Sequence, residues 1–121
     1  MSGRLTTHVL ELSAGRPAQG MRIQLVAFSD EGVASKLQEA VTNSDGRLDG
    51  PLLSGDNMLA GSFELLFYVG EYYRNVSKGI ELEAPMFLEV VPIRFQISNV
   101  GEHYHVPLLI APGGYSTYRG S

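Results

Sequence analysis

His8, His103 and His105 are the only histidines of this 121-residue chain, and they fall in just two stretches, Leu5–Leu12 and His103–Ala111. An imidazole titrates near pH ~6.5, so it can take a proton and return it around neutrality. That is the equipment of general acid–base catalysis. A second chemistry fits the same residues. His103 and His105 are two apart, so on a strand they point the same way and could share a zinc ion with His8. Three histidines and an open water position would make a hydrolase, but no carboxylate stands where it would orient the ligating rings. The expectation is therefore no metal, with a histidine-ligated zinc hydrolase kept as the lesser alternative. Each histidine also has an ordinary reading, as a packed or solvated strand residue. Arg47 is equally a solvated turn residue after Asp45-Gly46, and Arg119 a tail charge.

Other reactive constellations are missing. The chain has no cysteine, which removes disulfides, thiolate metal sites and a cysteine nucleophile. No Gly-x-Ser-x-Gly turn presents a serine, and no glycine-rich loop cradles a phosphate. A formal net charge of -4 disfavours a nucleic-acid partner, which needs a cationic surface to release counterions. No apolar run is long enough to span a bilayer. The opening residues lack the apolar stretch of a secretion signal, so the expected location is cytoplasmic. Asn75-Val-Ser77 fits a glycosylation acceptor by chance alone.

The elements that must position the histidines are short and β-like. The length is that of one domain, residues 1–121. Strands are expected at Leu5–Leu12, Met21–Phe28, Lys36–Thr42, Ser62–Val69, Leu88–Ser98, His103–Ala111 and Tyr115–Arg119. Phe63, Leu65, Phe67 and Val69 alternate onto one face, as do Glu89, Val91, Ile93, Phe95 and Ile97. Pro92 marks an edge or a bulge. Asp45-Gly46 and Asp49-Gly50 signal tight reversals. Glu71–Ser77 is expected to form one or two helical turns, stopped by Gly79, and Glu81–Met86 a loop. Seven to eight short strands at this spacing predict an all-β, two-layer sandwich with one short helix.

Two strands are partly apolar on both faces. In the first, Leu5, Thr7 and Val9 oppose Thr6, His8, Leu10 and Leu12. In the late one, Tyr104, Val106, Leu108 and Ile110 oppose His103, His105, Pro107 and Leu109. A half-exposed antiparallel strand alternates more cleanly than this. A second copy of the chain is the expected cover, on the face that carries His8 and His105.

Three blocks resemble one known family. Leu5-Thr-Thr-His-Val-Leu10 with Gly15-Arg-Pro-Ala18 is similar to its opening block, and Asp45-Gly-Arg47 to its arginine block. His103-Tyr-His-Val-Pro-Leu-Leu109 followed by Tyr115-Ser-Thr-Tyr-Arg-Gly-Ser121 is similar to its closing block. In this order, over nearly the whole chain, they resemble the 5-hydroxyisourate hydrolases of the transthyretin-like family. The Tyr-Arg-Gly-Ser ending separates these enzymes from transthyretin, the carrier of the same fold. Departures are Gly113-Gly114, where bulkier residues are usual, and Glu11 in place of a commoner aspartate.

The resemblance implies a transthyretin-like sandwich, a homotetramer built as a dimer of dimers, and sites where the dimers meet. It implies His8, Arg47, His105 and Ser121 as catalytic residues, with His103, Tyr118, Arg119 and Gly120 binding substrate. No cofactor is implied. The implied reaction opens the six-membered ring of 5-hydroxyisourate by hydrolysing a carbon–nitrogen bond, giving 2-oxo-4-hydroxy-4-carboxy-5-ureidoimidazoline in urate catabolism. Such a step needs a base for water, a donor for the oxyanion and an acid for the leaving nitrogen. His105, or His8 paired with it, would activate water. Arg47 and Arg119 would hold the substrate's oxygens through planar paired donors. Ser121 would orient substrate or tune a histidine. The competing reading is a non-catalytic transthyretin-like binder of small molecules. Loss of activity on removing the last four residues separates the two.

Overall fold

The computed structural model describes residues 3–76 and 85–121. Nine strands, one α-helix and a 3-10 turn follow in order. They are β1 (Arg4–Glu11), β2 (Arg16–Pro17), β3 (Arg22–Phe28), β4 (Ala34–Val41), β5 (Leu53–Ser54), the turn Gly55–Asn57, β6 (Gly61–Phe67), α1 (Val69–Val76), β7 (Val91–Ile97), β8 (His103–Ala111) and β9 (Gly114–Thr117). One sheet runs β2-β1-β8-β9 with β5 added to β1; the other runs β4-β3-β6-β7. The two-layer sandwich expected from alternation is the observed one.

Period-two alternation builds the interior. Leu5 and Val9 of β1 and Leu108 and Ile110 of β8 meet Ile23, Leu25, Phe63, Leu65 and Phe67 of the facing sheet, all essentially inaccessible to solvent. Burying each such side chain stabilises by roughly 1.5–3 kcal/mol. β7 is an edge strand, and Pro92 takes an exposed position in it. An edge tolerates the missing N–H.

The differences from the sequence reading lie at element ends. β2 and β5 are two residues each, too short to show a period, which takes the strand count among the described residues to nine. Val69, expected on the strand face, is the buried first residue of α1. It keeps its place in the core while the backbone changes type. The described part of the helix runs to Val76; its expected stop at Gly79, the glycosylation-like Ser77 and the first part of the Glu81–Met86 loop lie outside the described residues. Among the described residues, no helix is long and apolar enough to cross a membrane.

β1 and β8 pair in parallel, with Arg4 beside His103, Thr6 beside His105 and His8 beside Pro107. Thr7 of β1 donates its hydroxyl to the Val106 carbonyl at 2.6 Å. This register decides the site. It puts the even-numbered residues of β1 and the odd-numbered residues of β8 on the outer face, side by side.

Candidate active site

On that outer face the three histidines form one line with a threonine between two of them. Nδ1 of His8 and Nε2 of His105 are hydrogen-bonded at 2.8 Å, and the rings stack at 5.0 Å between centroids. The other nitrogen of His105, Nδ1, bonds to the Thr6 hydroxyl at 2.7 Å. The same hydroxyl meets Nε2 of His103 at 2.8 Å. Both nitrogens of His105 are thus occupied, and the residue is buried. His8 has no hydrogen-bond partner at Nε2 among the described residues.

A turn delivers Arg47 to His8. The Asn43 side chain accepts from the N–H groups of Asp45 and Arg47, and Gly46 N–H closes the reversal onto the Asn43 carbonyl at 2.9 Å. Gly46 has φ +73, a left-handed conformation that glycine adopts without steric cost. Its carbonyl accepts from Val9 N–H at 2.8 Å, pinning the turn to β1. A side chain at position 46 would begin 2.4 Å from the Val9 carbonyl oxygen. The Arg47 backbone consequently pairs with that of His8 in an isolated antiparallel β-bridge.

The electrostatics keep the histidine pair uncharged. Burial lowers the pKa of His105 first, and the neighbouring His8, Arg47 and His103 lower it further, to about 4. Burial also lowers that of His8, with the Arg47 charge adding to the effect. Desolvation and nearby positive charge both disfavour an imidazolium. At neutral pH both rings are therefore neutral, each with one N–H and one lone pair.

Residues 118–121 close the site from the other side. Gly120 N–H donates to the His105 carbonyl at 2.7 Å. Arg119 lies nearby, but its guanidinium is engaged elsewhere. Nη2 reaches Glu102 at 2.9 Å and the His103 carbonyl at 3.1 Å, and the group sits 4.2 Å over the Tyr104 ring. Arg119 thus ties the closing segment to the start of β8. The open cleft has a volume of about 570 Å³, and all eight residues singled out from the sequence line it: His8, Arg47, His103, His105, Tyr118, Arg119, Gly120 and Ser121. Thr6 and Arg4 line it too and were not singled out. Thr6 shares a strand face with His8, but its contact with β8 depends on a register that the sequence does not display.

The three histidines are poorly arranged for one zinc ion. His105 directs its nitrogens in diverging directions, one to His8 and one to Thr6, so the rings are strung out instead of converging on a point ~2.0–2.1 Å from each. Among the described residues no group of three His, Cys, Asp or Glu is placed to hold a metal.

Residues 5–120 match the sequence model for transthyretin, described as the HIUase/Transthyretin family. The chain belongs to that family. Among similar members, 5-hydroxyisourate hydrolase 2 of Rhizobium meliloti (strain 1021) is 55% identical over 121 residues, covering 99% of this chain and 98% of the relative. The solved structure of Klebsiella pneumoniae 5-hydroxyisourate hydrolase superimposes with a TM-score of 0.74 at 35% identity, over 98% of this chain and 94% of that one. The crystal structure of (S)-allantoin synthase gives a TM-score of 0.88 at 47% identity. That match covers 99% of this chain and 44% of the synthase.

Proposed function

We propose that this protein hydrolyses 5-hydroxyisourate in the pocket built on His8, His105 and Arg47. The observation that carries the reading is a hydrogen-bonded histidine pair whose pKa values are lowered by burial and by the nearby Arg47. Full-length relatives bearing the hydrolase name support the same substrate.

The chemistry follows from the geometry. Water attacks a carbonyl-type carbon of the oxidised purine; His8 Nε2, turned away from His105, takes its proton. His105 holds the His8 ring and its tautomer through the Nδ1–Nε2 bond, as a positioning residue. Arg47 binds the oxygen on which negative charge develops; a donor aimed at that charge contributes about 10²–10³ in rate. Breakage of the carbon–nitrogen bond leaves a carboxylate and a nitrogen that must be protonated. Arg119, engaged with Glu102 and the His103 carbonyl, holds Tyr118, Gly120 and Ser121 against the pocket. A cleft rich in positive charge within an acidic protein also concentrates an anionic substrate.

A homotetramer, with the outer face of β1 and β8 covered by another copy, and a cytoplasmic location complete the proposal. The half-buried Leu10 and Leu109 and the exposed Leu12, Tyr115 and Tyr118 on or near this face support the covering. Sedimentation tests the assembly and cell fractionation the location. The activity is tested by adding the purified protein to freshly generated 5-hydroxyisourate and following its ultraviolet decay. Acceleration above the spontaneous rate is expected; an unaltered rate with folded protein overturns the reading.

A further inference from the structure

Three hydrogen bonds of 2.7–2.8 Å join four side chains in series: His8, His105, Thr6 and His103. Only the first pair is needed to orient a base. The chain nevertheless continues past His105 through a hydroxyl, which both donates and accepts, to a third imidazole lining the same cavity. Among the described residues, neither terminal ring nitrogen, His8 Nε2 or His103 Nδ1, has a hydrogen-bond partner. A series of this kind has two self-consistent polarities. In one, His8 Nδ1–H donates to His105 Nε2, His105 Nδ1–H donates to Thr6, and the Thr6 hydroxyl donates to His103 Nε2. His8 Nε2 then offers a lone pair to the cavity and His103 Nδ1 offers a proton. In the other, every donor and acceptor is reversed.

We propose that Thr6 and His103 extend the His8–His105 pair into a proton relay that takes a proton from water at His8 and delivers one to the departing ring nitrogen from His103. The proposal rests on the hydrolase reading given above. Its proton balance closes. One proton enters at His8 Nε2; those on His8 Nδ1, His105 Nδ1 and the Thr6 hydroxyl each move one group along; and the proton on His103 Nδ1 leaves. Every group ends neutral and the series has switched polarity. Exchange of water protons at the two ends restores it before the next turnover. Base and acid thereby stand at opposite ends of the site, and no imidazolium forms in surroundings that disfavour one.

Thr6→Val keeps the branched strand side chain and removes only the hydroxyl, and Thr6→Ser restores it. The expected result for Thr6→Val is a kcat about 10²-fold or more lower with KM little changed, recovered largely in Thr6→Ser. The solvent-isotope dependence, curved for the wild type because several protons move together, should become linear in Thr6→Val. His103→Gln should behave as Thr6→Val does, and the double variant should be no worse than either single one. A Thr6→Val enzyme with wild-type kcat, or a Thr6→Ser enzyme as impaired as Thr6→Val, overturns the relay. A second measurement needs no substrate. The ring-nitrogen NMR shifts of His8 should respond to Thr6→Val, although His105 stands between them. Unmoved His8 shifts overturn the relay even if the substrate is another compound. Absent activity in the wild type with coupled shifts overturns the hydrolase reading instead.

Discussion

The Gly120 backbone lies so close to the His105 imidazole that a Cβ at position 120 would stand 2.7 Å from Cδ2 of the ring. No side chain fits there unless the ring or the closing segment moves. Glycine is required at this point by the approach of backbone to ring. Gly120→Ala should displace His105 from its 2.8 Å bond to His8 and lower kcat about tenfold or more, since small misplacements of catalytic groups are costly. The melting temperature should barely change, because residue 120 is outside the core. Kinetics and calorimetry on the same preparation check both halves; full activity in Gly120→Ala contradicts the account.

Arg47 is held at His8 by a glycine turn pinned to β1. Arg47→Lys keeps the charge and removes the planar paired donors. A rate loss of about 10²–10³ in kcat/KM is expected for a group that stabilises an oxyanion. Circular dichroism should stay unchanged, since the side chain is exposed. Comparable kcat/KM in the two proteins would assign Arg47 to bulk electrostatics.

The histidine pair sets the pH dependence. Burial and the Arg47 charge lower the pKa values of His8 and His105, the latter to about 4. The working form is neutral, so the acid limb of the kcat/KM profile should fall below the ordinary value of ~6.5. Stability follows the same sign. Between about 4 and ~6.5 the unfolded chain binds more protons at these residues, so stability is complete above that window and declines as pH falls through it. An acid limb at or above pH ~6.5 would show that a different group controls the rate.

Much of this was legible in the residues. The alternation in β6 and β7 marked the core faces, and the two strands partly apolar on both sides, β1 and β8, marked the outer face on which the histidines meet. Thr6 was missed because its importance lies in pairing with a strand some hundred positions away, and a parallel register leaves no local mark. Arg119 lines the pocket, and it is also anchored by contacts that the sequence does not display. Its engagement with Glu102 and the His103 carbonyl depends on where β9 ends, which turn chemistry alone does not fix. Gly120 was placed in the pocket by resemblance; the physical reason, contact with a ring, needed coordinates.

Glu11 ends β1 with its carboxylate buried and fully engaged. It accepts from Ser13, from Ala14 N–H at 2.7 Å and from the Tyr73 hydroxyl of α1. Burial raises its pKa, but these hydrogen bonds outweigh that effect and hold it below the usual carboxylate value. Its contribution is therefore present above the ordinary carboxylate range and lost as pH falls through the lowered value. Glu11→Gln should destabilise the fold by about 1–3 kcal/mol while leaving turnover of the folded protein intact. Urea unfolding at pH 7 and pH 4 checks this: the gap between the two proteins should narrow in acid, and an unchanged gap contradicts it.

The central claim is that a neutral His8, oriented by His105, activates water against 5-hydroxyisourate. Its most direct test is the initial rate of 5-hydroxyisourate decay with wild-type protein and with His8→Ala at equal concentration, both confirmed folded and equally assembled. The account predicts rapid decay with the wild type and a loss of about 10²-fold or more in the variant. Equal rates for the two proteins would contradict it.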